Sequence, residues 1–161
     1  MILIFLRHGE AEDRGPNVDD PKRRLTPAGR RDVRKVARGL AAMKVTFSMC
    51  LSSPLARARE TADVACQILG IAEVKVVDGL LPSATWEELL SQLEEFPGDV
   101  VLLLVGHEPS MSHLIAAAIG APEARIEIRK TGVARVDVDS PGLPGELKWL
   151  LKPKQAIELG G

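Results

Sequence analysis

The run Val100-Val101-Leu102-Leu103-Leu104-Val105 is six apolar residues without a polar interruption, followed at once by Gly106-His107-Glu108-Pro109. A strand with one face in water alternates apolar and polar side chains. An unbroken run of Val and Leu instead describes a strand covered on both faces. Ile2-Leu3-Ile4-Phe5-Leu6 has the same character and runs directly into Arg7-His8-Gly9-Glu10. Phe47 to Leu51 and Glu73 to Val77 read as two further strands.

Helical periodicity fills the intervals between these runs. Thr26-Pro27 is a helix start, because Thr caps free amides and Pro suits the first helical position. Val33, Val36, Ala37, Leu40 and Ala41 then recur at i, i+3, i+4, i+7 and i+8, a single apolar stripe. Ala58, Ala62, Ala65, Cys66 and Leu69 trace a second helix stopped by Gly70. Trp86, Leu89, Leu90 and Leu93 trace a third, and Pro109 opens a fourth through Met111, Leu114, Ile115, Ala118 and Ile119. Val133, Val136 and Val138, then Leu147 to Leu151, read as a closing pair of strands. Strands alternating with helices predict a three-layer α/β/α fold. Its central sheet has about six strands and is mostly parallel, with an antiparallel last part. With 161 residues and no repeat, linker or low-complexity tract, residues 1–161 read as a single domain.

The composition narrows the partners. Aromatic residues make up 3% of the chain, with no Tyr, which leaves little to stack on a nucleobase. No nucleic-acid motif is present, and no apolar stretch reaches the length of a membrane span. The apolar start carries no basic leader, and two cysteines are too few for a disulfide framework. These features predict a cytoplasmic protein. The net charge of −1 conceals an asymmetry: residues 1–60 carry 13 Lys/Arg against 7 Asp/Glu, and the remainder is acidic.

In sheets of this class, ligands bind beyond the carboxyl ends of the strands. The segments there carry Arg7 and His8 after the first strand, Arg57 after the second, and His107 after the fourth. Arginine's planar fork matches phosphate oxygens, and a neutral imidazole is a competent nucleophile towards phosphorus. Gly9 would let the backbone approach a ligand closely, and the helix begun by Pro109 would add positive potential beside His107. A histidine at a strand end is more often a satisfied polar residue. The weight here comes from three segments, distant in sequence, converging on one edge. His113 falls within the fourth helix and reads as a packing or surface residue.

Arg-His-Gly-Glu after the first strand, Ser-Pro-Leu-x-Arg-x-x-x-Thr from Ser53 to Thr61, and Gly-His-x-Pro from Gly106 resemble the histidine phosphatase superfamily. Arg23-Arg24-Leu25-Thr26-Pro27-Ala28-Gly29 and the short length resemble its small SixA-type phosphohistidine phosphatase branch. The resemblance implies a metal-independent phosphohydrolase needing no cofactor. In it His8 forms a transient phosphohistidine, Arg7, Arg57 and His107 hold the phosphoryl oxygens, and inorganic phosphate is released. His8 must then be unprotonated at its reacting nitrogen, and the two arginines should depress its pKa. Many larger relatives place a glutamate acid after the third strand. Here that loop is Val77-Asp78-Gly79-Leu80-Leu81-Pro82, leaving Asp78 or Glu108 as candidate proton donors. A missing acid penalises alkoxide leaving groups most, which favours phosphohistidine in a protein over a small phosphate ester. The absence of insertions also predicts a shallow pocket, rimmed by the Arg7–Leu25 loop and by Leu80–Thr85.

Four other readings compete. A small-molecule phosphomonoesterase would use the same residues, and a phosphate- or phosphoprotein-binding module would use the pocket without turnover. A cysteine phosphatase needs five residues between Cys and Arg, whereas six separate Cys50 from Arg57 and Cys50 falls within a strand. A metal hydrolase is disfavoured because His107 and His113 lack the i, i+4 spacing that shares a helical face.

Overall fold

Both unbroken apolar runs become strands at the centre of the sheet, buried on two faces as their composition demands. The computed structural model describes residues 1–17 and 19–161. β1 (Ile2–Arg7) is followed by α1 (Pro27–Ala42), β2 (Met49–Ser52), α2 (Ala56–Leu69) and β3 (Val74–Val76). Then come α3 (Trp86–Leu93), β4 (Val101–Gly106), α4 (Ser110–Ala118), β5 (Val133–Asp137), β6 (Glu146–Leu151) and α5 (Pro153–Leu159), with short 3-10 turns at Asp20–Lys22 and Asp78–Leu80. The strands form one sheet in the order β3-β2-β4-β1-β5-β6. β1 to β4 run parallel, and β5 and β6 are added antiparallel.

Side-chain alternation divides the core into two layers. Leu3 and Phe5 of β1 and Leu102 and Leu104 of β4 face α3 and α4, joining Leu89, Leu93, Met111, Leu114 and Ile115. Ile4, Leu6, Leu103 and Val105 face the other way, joining Val33, Val36 and Leu40 of α1, Ala58, Ala62 and Ala65 of α2, and Ala156 of α5. The fold is therefore the expected α/β/α arrangement. Local signals hold as well. Thr26 Oγ1 accepts from the Gly29 amide at 2.9 Å, and Gly70 closes α2 in the left-handed region at φ 69°. No helix is long and apolar enough to cross a membrane among the described residues.

One element escaped the sequence reading. α5 is seven residues long and carries only a weak apolar stripe, so its periodicity is too brief to stand out. It is held instead by α1, against which Gly39 leaves room for its backbone. A Cβ at Gly39 would lie 1.8 Å from the Ala156 carbonyl oxygen. Alanine at a helix interior is normally better than glycine by up to about 1 kcal/mol. Here the clash with a backbone atom outweighs that gain. Gly39→Ala should destabilise the protein by about 1–3 kcal/mol, read as a lower urea midpoint with unchanged slope. An unaltered midpoint would show that α5 does not pack tightly at this position.

Candidate active site

The pairing of β1 with β4 sets the site. Arg7 is in register with Gly106, so the next residues, His8 and His107, emerge side by side. The His8 amide donates to the Gly106 carbonyl at 3.0 Å, and the two imidazole centroids lie 4.9 Å apart. On the other flank β2 pairs Ser52 with Val105, bringing Ser53 Oγ within 2.8 Å of His107 Nε2. Arg57 projects from the first turn of α2. These four predicted residues meet in a cavity of about 340 Å³, at the small end of ligand pockets.

Hydrogen bonding assigns the His8 tautomer. Its Nδ1 lies 2.7 Å from the Gly9 carbonyl, which can only accept, so Nδ1 carries the proton and Nε2 keeps its lone pair. Burial is the main cause that takes the His8 pKa down to about 4. The Gly9 hydrogen bond opposes it, and Arg57, Arg7 and Lys130 add to it. The sequence reading named the arginines as the cause, but desolvation outweighs them. Burial likewise takes His107 down to about 2, with further lowering from His8 and Arg57. Burial also lowers both arginine pKa values, opposed by Glu108 at Arg7 and by Asp20 at Arg57.

Most buried polar atoms in a folded protein have partners. Among the described residues Arg7 Nε, Arg57 Nε and His107 Nδ1 are buried without a protein partner. Arg7, Arg14, Arg23, Arg57 and Lys130 all line the cavity, and this concentration of cations suits it to an oxyanion.

Other predicted residues fall differently. Gly9 does not line the cavity. A Cβ there would lie 2.9 Å from Val33 Cγ2 and 3.2 Å from the Gly29 carbonyl oxygen, so glycine is required by the close approach of α1 rather than by a ligand. Its amide donates to Thr61 Oγ1 at 3.1 Å, while that hydroxyl donates to the Arg57 carbonyl at 2.7 Å, tying the first loop to α2. Asp78 is exposed at the start of its 3-10 turn and outside the cavity wall, which is formed on that side by Pro82. The chain turns inward after Asp78, burying Gly79 and Leu80 and leaving the carboxylate outside. Glu108 does line the cavity and accepts from the Ser112 hydroxyl. His113 is exposed on α4, and Glu10 accepts from the Thr26 hydroxyl at 3.2 Å.

Cys50 is fully buried in the apolar layer, and a hydrogen bond shared with Cys66, together with burial, pushes its thiol well above the ordinary range. It does not line the cavity, so it is not placed to act as the nucleophile there. Among the described residues no group of three His, Cys, Asp or Glu side chains is arranged to hold a metal ion.

Ala11 to Arg14 and Arg23 form one side of the rim, within the Arg7–Leu25 loop expected there. Lys130, which the sequence reading did not single out, enters from the turn before β5. Lys130 had no motif to mark it. It arrives because that turn packs on β1: Thr131 N donates to the Arg7 carbonyl at 3.0 Å, and Arg7 Nη1 donates to the Ile128 carbonyl at 3.0 Å.

Known proteins resemble this chain in sequence and in fold. Residues 3–81 match the histidine phosphatase superfamily (branch 1). An uncharacterized protein of Picosynechococcus sp. is 36% identical over 140 residues, covering 83% of this chain and 82% of that one. The structure of the protein histidine phosphatase SixA complexed with tungstate superposes with a TM-score of 0.87 at 25% identity, covering 96% of this chain and 98% of that one. A structure assigned as the phosphohistidine phosphatase SixA of Agrobacterium tumefaciens superposes at 0.76 with 27% identity, covering 94% and 97%. The chain belongs to the histidine phosphatase superfamily and is a phosphatase. Within that superfamily it is of the SixA type.

The two buried imidazoles make stability depend on pH. In the unfolded chain both titrate near about pH 6.5. Below that, the unfolded chain binds protons that the folded site refuses until about pH 4 at His8 and about pH 2 at His107. Their contribution is therefore complete above about pH 6.5 and is lost as pH falls. Between about pH 6.5 and 5, before most carboxylates titrate, the urea midpoint should fall, and His8→Asn should flatten that slope. A level profile in the wild type would contradict the neutral, buried state of both rings.

Proposed function

We propose that this phosphatase hydrolyses phosphohistidine in proteins through a covalent intermediate on His8, without a metal ion. The observation that carries this reading is the His8 geometry. One nitrogen is committed as a donor to Gly9, and the other is left as an unprotonated nucleophile among Arg7, Arg57 and His107.

The His8 Nε2 lone pair forms a bond to phosphorus as the bond to the leaving group breaks, and the leaving group departs with that electron pair and takes up a proton. Arg7 and Arg57 hold the equatorial oxygens throughout, and their charge stabilises the transferring group. His107 enters as a neutral imidazole, oriented by the 2.8 Å pairing of its Nε2 with Ser53 Oγ, which also accepts from the Leu55 amide at 3.3 Å. Water then attacks phosphorus as the P–N bond breaks; the electron pair returns to His8 Nε2, the protons of water stay with the phosphate, and inorganic phosphate is released from a neutral His8.

Two features favour a phosphohistidine side chain over a small phosphate ester. Among the described residues, Ala11 and Pro82 are the only apolar residues in the cavity wall, which leaves little apolar surface to grip a sugar ring or a base. The leaving imidazole, once protonated, departs without strong acid assistance. Glu108 is the candidate donor that lines the cavity, and we assign it to leaving groups that need one.

Alkaline quenching of turnover with labelled substrate should leave label on the wild type that is stable in base and lost in acid. His8→Ala should carry none, and its turnover should fall by roughly 10³-fold or more. Equal labelling of His8→Ala would overturn the assignment of the nucleophile. Glu108→Gln should lower kcat/KM for an alkyl phosphate by about 10²-fold, the usual reach of a general acid, while sparing a phosphohistidine peptide. Equal losses on both would remove Glu108 as the leaving-group acid.

A further inference from the structure

Three arginines converge on Asp20, a residue outside the proposed chemistry. Its Oδ1 accepts from Arg23 Nε at 2.8 Å and lies 3.1 Å from Arg14 Nε. Its Oδ2 lies 3.5 Å from Arg57 Nη2, and its main-chain carbonyl accepts from Arg57 Nη1 at 3.0 Å. Arg14, Arg23 and Arg57 line the cavity, while Asp20 is not part of its wall. The carboxylate therefore grips the arginines from outside the cavity rather than occupying the place of a substrate.

The consequences follow from the shape of guanidinium. It is planar, so fixing two of its nitrogens fixes the direction of every remaining N–H. Asp20 engages both terminal nitrogens of Arg57, whose side chain is 3% exposed. Arg23 is fixed in the same manner, by Asp20 at Nε and by the Glu12 carbonyl at Nη1, 2.7 Å away. Three cations at this spacing would otherwise repel one another and swing towards water. Burial works against the Asp20 charge, yet Arg57, Arg23 and Arg14 together hold its pKa below the usual carboxylate value.

We propose that Asp20 is a positioning residue for the phosphoryl site: it locks Arg57 in place and makes Arg23 a third arginine ligand for the bound phosphoryl group. This rests on reading Arg7, His8, Arg57 and His107 as that site.

The test is calorimetric titration of the protein with inorganic phosphate and with tungstate, alongside kcat and KM on p-nitrophenyl phosphate. Asp20→Ala should weaken binding of both anions by about tenfold or more, the scale of a lost charge-assisted hydrogen bond, and should raise KM more than it lowers kcat. Because Asp20 is partly exposed in a loop, Tm should change little. Asp20→Asn keeps the shape but only one acceptor oxygen, so it should recover part of the loss, and it replaces Asp20→Ala should that variant not fold. Arg23→Ala should also weaken binding, and Asp20→Ala should cost less in that background than in the wild type. Unchanged or tighter anion binding by Asp20→Ala or Asp20→Asn would overturn the proposal, as would full additivity with Arg23→Ala. Failure of the wild type itself to bind either anion would overturn the reading of the site, and this inference with it.

Discussion

The parallel pairing of β1 with β4 is the constraint on which the molecule depends. Main-chain hydrogen bonds along six paired positions end at Arg7 and Gly106, and both chains leave the sheet at the same level. His8 and His107, 99 residues apart in sequence, therefore become neighbours without any contact between the side chains having to bring them together. A slip of one residue would turn each apolar side chain of β1 to the opposite layer. Since both layers are tightly filled, the packing that stabilises the fold also holds the two imidazoles in register.

That arrangement gathers groups whose charges oppose one another. Burial keeps both histidines neutral, so the cationic environment comes from guanidinium groups that do not lose their protons. Each arginine is placed by an acceptor that leaves other donors free: the Ile128 carbonyl for Arg7, and Asp20 for Arg57.

Much of this was legible in the chain itself. Val101 to Val105 and Ile2 to Leu6 could hardly be anything but doubly covered strands, and Thr26-Pro27 and Gly70 mark helix ends through chemistry that acts within a few residues. His8, Arg7, Arg57 and His107 are legible because each lies at or soon after the carboxyl end of a strand, where the geometry of parallel sheets brings loops together. Gly9 was recognised as special for a different reason from the one the structure supplies, since only the folded chain reveals that α1 lies against it. Asp78 and Glu108 were equivalent as carboxylates at strand ends. The inward turn of the backbone after Asp78 leaves its carboxylate exposed outside the cavity, whereas Glu108, beyond β4, lines it.

Sequence by itself determined the layers, the strand and helix types and the residues able to handle phosphate, because hydrophobic period and side-chain chemistry are local properties. Tertiary structure alone decided the tautomer of His8, the weight of burial over charge in its pKa, the arrival of Lys130 at the pocket, and the grip of Asp20 on Arg14, Arg23 and Arg57. Each of these depends on atoms brought close by the register of strands and the path of loops, which no run of neighbouring residues encodes.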